Sequence, residues 1–123
     1  MLNSVNLMGR LVAAPVPRGK GDRLAAAFSL AVQRAYKDKD GERGVDFVDC
    51  VAFGKLGEFV LGHFEKGQLM CACGRLFVGS YVGEDGKLRK SWQVVLNDCY
   101  FCGIKRASVT DDELRQLDEM YPL

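Results

Sequence analysis

At 123 residues, 48% of them hydrophobic, the chain is long enough for one domain with a small but real core. No apolar run reaches membrane-spanning length, and Asn3, Asn6 and Arg10 interrupt any signal-peptide pattern, so a cytoplasmic protein without a membrane partner is expected. The net charge of +1 excludes nothing by itself, but five cysteines, an odd count, argue against a fully paired disulfide scaffold and for reduced thiols.

Leu2 to Val12 alternates, with Val5, Leu7, Gly9 and Leu11 on one face, and predicts a strand in which Gly9 marks a bend or a close backbone approach. Ala14 to Arg23, with two prolines, two glycines and four charges, predicts a loop. Leu24 to Tyr36 predicts a long strand, with Ala26, Phe28, Leu30 and Val32 on its apolar parity and Arg34 and Tyr36 continuing that parity beyond it. A charged turn on Asp40-Gly41 leads to a third strand, Val45 to Phe53. Leu56, Phe59, Val60 and Phe64 then form one helical stripe. Gly57 and Gly62 each weaken that helix by roughly 1 kcal/mol relative to Ala, so packing must hold it. Gly67 is expected as its C-terminal cap. Gln68 to Val82, a hairpin turn at Asp85-Gly86 and Leu88 to Phe101 complete the pattern. Five strands with one helix between the third and fourth predict an all-β OB-fold, a five-stranded Greek-key barrel that often binds oligonucleotides.

The third strand carries the chemistry. Phe47, Asp49, Val51 and Phe53 share one face; Val48, Cys50 and Ala52 share the other. Hydrophobicity alone puts the Phe face in the core. Asp49 favours the reverse, because an unpaired buried carboxylate is costly, and the residues by themselves leave the two readings open. Tyr36 and Tyr81 add rings at strand ends, and Arg34, Lys37, Arg43, Lys55 and Lys66 lie among them. Flat rings beside cations can hold unstacked bases and their phosphates in any order. Charge is divided along the chain: residues 111–123 sum to −4 and residues 1–110 to +5. A basic body with an acidic end fits a polyanion partner, although ordinary solvated surface explains the same numbers.

Met1-Leu2-Asn3-Ser4-Val5, Met8-Gly9-Arg10-Leu11, Phe28-Ser29-Leu30-Ala31-Val32, Arg34-Ala35-Tyr36 and above all Val51-Ala52-Phe53-Gly54-Lys55-Leu56-Gly57-Glu58, with Lys66-Gly67 downstream, resemble the bacterial single-stranded DNA-binding protein family, SSB, over residues 1–101. The resemblance implies stacking by Tyr36, Phe47, Phe53 and Tyr81 and phosphate contacts from Lys55 and Lys66, to which the basic pattern adds Arg10 and Arg34. It implies pairing through the first strand (Asn3, Val5 and Leu7) into homotetramers. It also implies a nucleoid-associated role in replication, recombination and repair, without catalysis or cofactor. The chain departs from the family at Phe77-Val78-Gly79-Ser80, where basic residues often stand, and at Trp92, where a small or β-branched residue is expected; an extra stacking platform and an interface residue are both open there, with packing favoured. The long Gly/Gln/Pro-rich linker of the family is absent.

The domain is expected over residues 1–104, followed by a short acidic tail, 105–123. Asp118, Glu119, Tyr121, Pro122 and Leu123 loosely echo the family's partner-binding tip; the competing reading is a short helix from Asp111 to about Glu119, and both hold if Tyr121-Pro122-Leu123 follows it exposed. Cys71, Cys73, Cys99 and Cys102 could hold zinc, but a C-x-C within a strand places both sulfurs on one face as small hydrophobes, and no metal is expected. His63 has no catalytic companions. Two other readings remain: a protein-interaction OB module of a primosome-like replication complex with weak DNA binding, and a thiol oxidoreductase built on Cys99 and Cys102.

Overall fold

The computed structural model describes residues 1–102. In chain order they form β1 (Val5–Leu11), β2 (Val16–Arg18), a 3-10 turn (Gly21–Arg23), β3 (Ala25–Lys37), β4 (Arg43–Phe53), α1 (Gly54–His63), β5 (Leu69–Val82) and β6 (Leu88–Phe101). The sheet order is β1-β5-β6-β4-β3-β2, and an added β1–β3 pairing closes it. With the short β2 set apart, five strands make a closed barrel and α1 falls between its third and fourth strands, which is the OB-fold arrangement. All pairings are antiparallel except β4–β6, a parallel ladder of only Cys50↔Val94 and Val51↔Val95.

Closure depends on β1 changing partners. Val5 to Arg10 pairs with β5, while Arg10 and Leu11 pair with β3. Gly9 lies at this corner: a Cβ there would sit 2.7 Å from the Ala31 carbonyl oxygen, so only Gly lets the two backbones approach. Alternation fills the interior. Leu11, Leu30, Met70, Val60 and Val94 are fully buried, and each contributes about 1.5–3 kcal/mol by leaving water.

The helix caps one end of the barrel. Val60 and Phe64 are buried, with Leu56 and Phe59 packed against the core, as the predicted stripe requires. Gly57 meets the Ala52 carbonyl and the Ala26 backbone so closely that a Cβ has no room, so the residue that weakens the helix is what lets it dock.

Four expectations change. The loop from Ala14 to Arg23 contains β2, paired Val16↔Ala27 to Arg18↔Ala25; as an edge strand it tolerates Pro17, because no ladder N–H is needed on its open side. Gly67 does not cap α1. The helix ends at His63 with Phe64 extended, and Gly67, at φ +83°, turns the chain three residues later while its N–H donates to the Leu11 carbonyl at 2.8 Å. The thiols are not all reduced, because Cys71 on β5 and Cys102 just past β6 are joined in a disulfide, their Cα atoms 6.3 Å apart. Antiparallel pairing of Cys71 with Tyr100 brings the two together, a proximity that spacing along the chain does not reveal. Finally, Cys71 and Cys73 alternate with the buried Met70 and Ala72 and so lie on the outer parity of β5, whereas Cys99 is buried.

Candidate nucleic-acid interface

The orientation of β4 decides the site. Cys50 and Ala52 point into the core with Val48 packed against it, which turns Phe47, Asp49 and Phe53 outward. Val51, on the same outward parity, is covered at the surface. On β3 the partners of this outward row are small: Ala31 faces Phe47, Ser29 faces Asp49 and Ala27 faces Val51. Short side chains leave a low floor, and Phe47 and Phe53 rise at its two ends, six residues or roughly 20 Å apart at the strand rise.

A groove of about 580 Å³ runs over this floor, bounded by Ala13, Val16 and Arg18 on one side and Gln93 on the other. A second groove of about 460 Å³ opens between β4 and β6 and collects Phe47, Leu76, Tyr81, Lys90 and Trp92. Asp49 and Gln93 line both, so the two make one trough.

The four rings named from the resemblance all stand in water: Tyr36 is 66% exposed, Phe47 70%, Phe53 55% and Tyr81 51%. The structure brings Phe47 and Tyr81 into one groove, sets Phe53 at the start of α1 next to Lys55, and leaves Tyr36 at the far end of β3. None of the four touches another aromatic ring among the described residues.

The cations divide. Lys55 and Lys66 are exposed and form no ion pair among the described residues. Arg34 is engaged: its Nε and Nη2 donate to Asp46 Oδ1 at 3.1 and 2.7 Å. That hydrogen bond holds the Asp46 carboxyl below the usual carboxylate range and the Arg34 guanidinium above its own. Arg10 donates to the Gly67 carbonyl at 3.0 Å, and Arg43 to the Ala35 carbonyl at 2.5 Å. Both Arg10 and Arg34 keep N–H groups facing outward, but each is held by the protein first. Asp49 accepts from Ser29 Oγ at 2.7 Å in the middle of the trough. A carboxylate there repels phosphate and accepts from exocyclic base amines, which directs bases to the floor and phosphates to the rims.

The residues expected at an interface between copies sit differently. Val5 and Leu7 pack against the core, and Asn3 is bound to Leu76, its Nδ2 donating to the carbonyl and its Oδ1 accepting from the N–H, both at 2.9 Å. Yet β3 covers β1 only at Arg10 and Leu11, so the other edge of Val5 to Gly9 is open among the described residues. Asp118, Glu119, Tyr121, Pro122 and Leu123, and the expected tail helix, lie outside the described residues.

Sequence reasoning missed Arg18 and Lys90 and favoured packing for Trp92. Arg18 was masked by its prolines, whereas Lys90 and Trp92 share a parity on β6 that becomes meaningful only once β4 faces them. Cys50 and Cys99 are not activated thiols: burial raises Cys50 to about 12 and Cys99 to about 11, opposite to what a nucleophile needs. No group of three or more metal-ligating side chains gathers among the described residues, and no helix there is long and apolar enough to cross a membrane.

Comparison with known proteins agrees with this geometry. The chain is 43% identical over 88 residues to a single-stranded DNA-binding protein of Bacillus cereus, a match covering 71% of this chain and 52% of that protein. A single-stranded DNA-binding protein of Caldanaerobacter subterraneus is 34% identical over 124 residues, 97% of this chain and 82% of the relative. One from Clostridium perfringens is 37% identical over 103 residues, 81% and 65% of the two chains. The match thus spans about half the length of the Bacillus relative. The sequence profile of the single-strand binding protein family matches residues 2–102, the whole of the barrel, and the chain belongs to that family.

Proposed function

We propose that this protein binds and protects single-stranded DNA without reading its sequence, in replication, recombination and repair at the nucleoid. One observation carries the reading: four aromatic rings lie open to water on one side of the barrel, and two of them, Phe47 and Tyr81, line a trough whose floor includes Ala27 and Ser29. A ring face left in water by the protein can cover a base face, and stacking is worth about 1–3 kcal/mol per base whatever the base. Tyr36, Phe47, Phe53 and Tyr81 stack; Lys55 and Lys66 meet phosphates, with Arg10 and Arg34 adding weaker contacts because Gly67 and Asp46 hold them. The reading needs binding alone, with no covalent step and no cofactor.

The assembly is a homotetramer built from dimers, and the open edge of β1 supports it. An unpaired strand edge is a template for an identical strand of a second copy, and two-fold pairing satisfies both edges at once. Residues 1–104 act as the DNA-binding domain, and Asp118, Glu119, Tyr121, Pro122 and Leu123 recruit replication or repair proteins.

Fluorescence anisotropy of labelled oligo-dT and of a duplex of equal length tests the function. Tight binding to oligo-dT, falling steeply with salt and far exceeding duplex binding, is the expected result. Equal affinity for the two, or none for either at low salt, would favour the protein-interaction module instead. Light scattering of the same sample should give four chains per particle.

A further inference from the structure

Trp92 is the one tryptophan of the chain, and the family resemblance gives it no role. It is 58% exposed, lies opposite Val78 in the β5–β6 ladder, and touches no other aromatic ring among the described residues. A tryptophan this open leaves a large apolar face in water unless something covers it.

The strands around it show what fits. β4 and β6 pair only at Cys50↔Val94 and Val51↔Val95. Toward their N-terminal ends they separate, and the groove of about 460 Å³ occupies the gap, a volume within the range of small-ligand pockets. Phe47 stands on the β4 side, Trp92 on the β6 side, and Tyr81 comes from β5. The groove is polarised. Asp49, hydrogen-bonded by Ser29, is one residue from the ladder, whereas Lys90 lies three residues beyond Gln93, about 10 Å toward the open end. Lys90 has no ion-pair partner among the described residues. A flat apolar group is therefore favoured inside and an anion at the mouth. The groove is also continuous with the trough through Asp49 and Gln93. A nucleotide of a single strand meets all three conditions, with a base for the rings, a phosphate for Lys90 and a chain that continues along the floor.

We propose that Trp92 is an additional stacking platform: one base of the bound strand enters the β4–β6 groove and lies on the indole beside Phe47, while its phosphate meets Lys90. The proposal rests on the reading that the protein binds single-stranded DNA. It extends the contact surface past the four rings of the resemblance.

Intrinsic tryptophan emission reports the site directly. Wild-type protein titrated with unlabelled oligo-dT should show Trp92 emission quenched at the stoichiometry found independently by anisotropy of labelled oligo-dT. Trp92→Ala should weaken binding about 10-fold, within the range for loss of one stacked base, and Trp92→Phe should recover most of it. Circular dichroism and light scattering of both variants guard against misfolding or lost assembly. Tight oligo-dT binding with unchanged emission and an unaffected Trp92→Ala overturns the inference and leaves the function standing. Emission that responds to protein concentration and not to oligo-dT overturns it in favour of a second copy covering the indole. No anisotropy change with wild-type protein at low salt overturns the function itself.

Discussion

Two sets of aromatic rings occupy this barrel, and they differ in what they touch. Under α1, Phe64 stacks on Phe101 at 4.6 Å, and Phe59 meets His63, Phe64 and Phe101 at 4.7, 6.1 and 5.6 Å. On the exposed surface, Tyr36, Phe47, Phe53, Tyr81 and Trp92 contact no other ring among the described residues. Composition does not distinguish the sets, since Phe dominates the first and contributes two members to the second. Partners distinguish them. A ring packed and enclosed, as Phe64 is, has used its burial for folding, while Phe101 is packed on one face and open on the rest. A ring with its face in water still has most of its 150–250 Å² to bury, and a ligand can supply the cover. The first set should therefore govern stability and the second binding.

The largest effect expected is at the packed end. Phe64→Ala should destabilise the protein by about 3–5 kcal/mol in denaturant unfolding, because it empties a fully enclosed site. Phe47→Ala should change stability by less than about 0.5 kcal/mol in the same assay. Comparable losses for the two would erase the distinction.

The next effect reverses the order. Phe53→Ala should weaken oligo-dT, oligo-dC and oligo-dA alike by about 1–3 kcal/mol in anisotropy titrations while leaving unfolding unchanged. A loss confined to one base would show that Phe53 reads sequence.

Salt sharpens the comparison among cations. The slope of log affinity against log salt should become shallower by about 0.7 for each of Lys55→Ala and Lys66→Ala, the single-strand value per phosphate contact. Arg34→Ala should change it less, since Asp46 already occupies that guanidinium.

The smallest effect is the Arg34–Asp46 pair. Its Asp46 carboxyl is held below its unfolded pKa, so its contribution to stability is complete above that unfolded value. The contribution fades as pH falls through the lowered pKa of the folded state. Both groups are exposed, so Asp46→Asn should alter acid unfolding slightly and the neutral-pH stability hardly at all. A shift at neutral pH as large as that of Phe64→Ala would mean the pair braces the β3–β4 arm.

Much of this was legible beforehand. The alternation of Val5, Leu7, Gly9 and Leu11 and the stripe of Val60 and Phe64 gave the elements their inner faces, because side-chain period and burial are linked within a single element. Pro15 and Pro17 concealed β2, since an edge strand tolerates a residue that a central strand excludes. Arg10 and Arg34 read as free cations because nothing local points to their partners, Gly67 and Asp46. The disulfide of Cys71 with Cys102 was hidden for the same reason.

Local order, then, was determined by the sequence alone: the five barrel strands, the helix, the Gly9 corner and the Phe-Gly-Lys segment that marks the family. Tertiary structure decided the side of β4 on which Phe47 and Phe53 would lie. Both faces of that strand carry apolar residues, and only closure of the barrel over Cys50 and Ala52 fills one side and leaves the other in water. It also decided that Trp92 would share a groove with Phe47. That meeting depends on two parallel strands, distant along the chain, separating after a two-residue ladder, and no period within either strand encodes the distance between them.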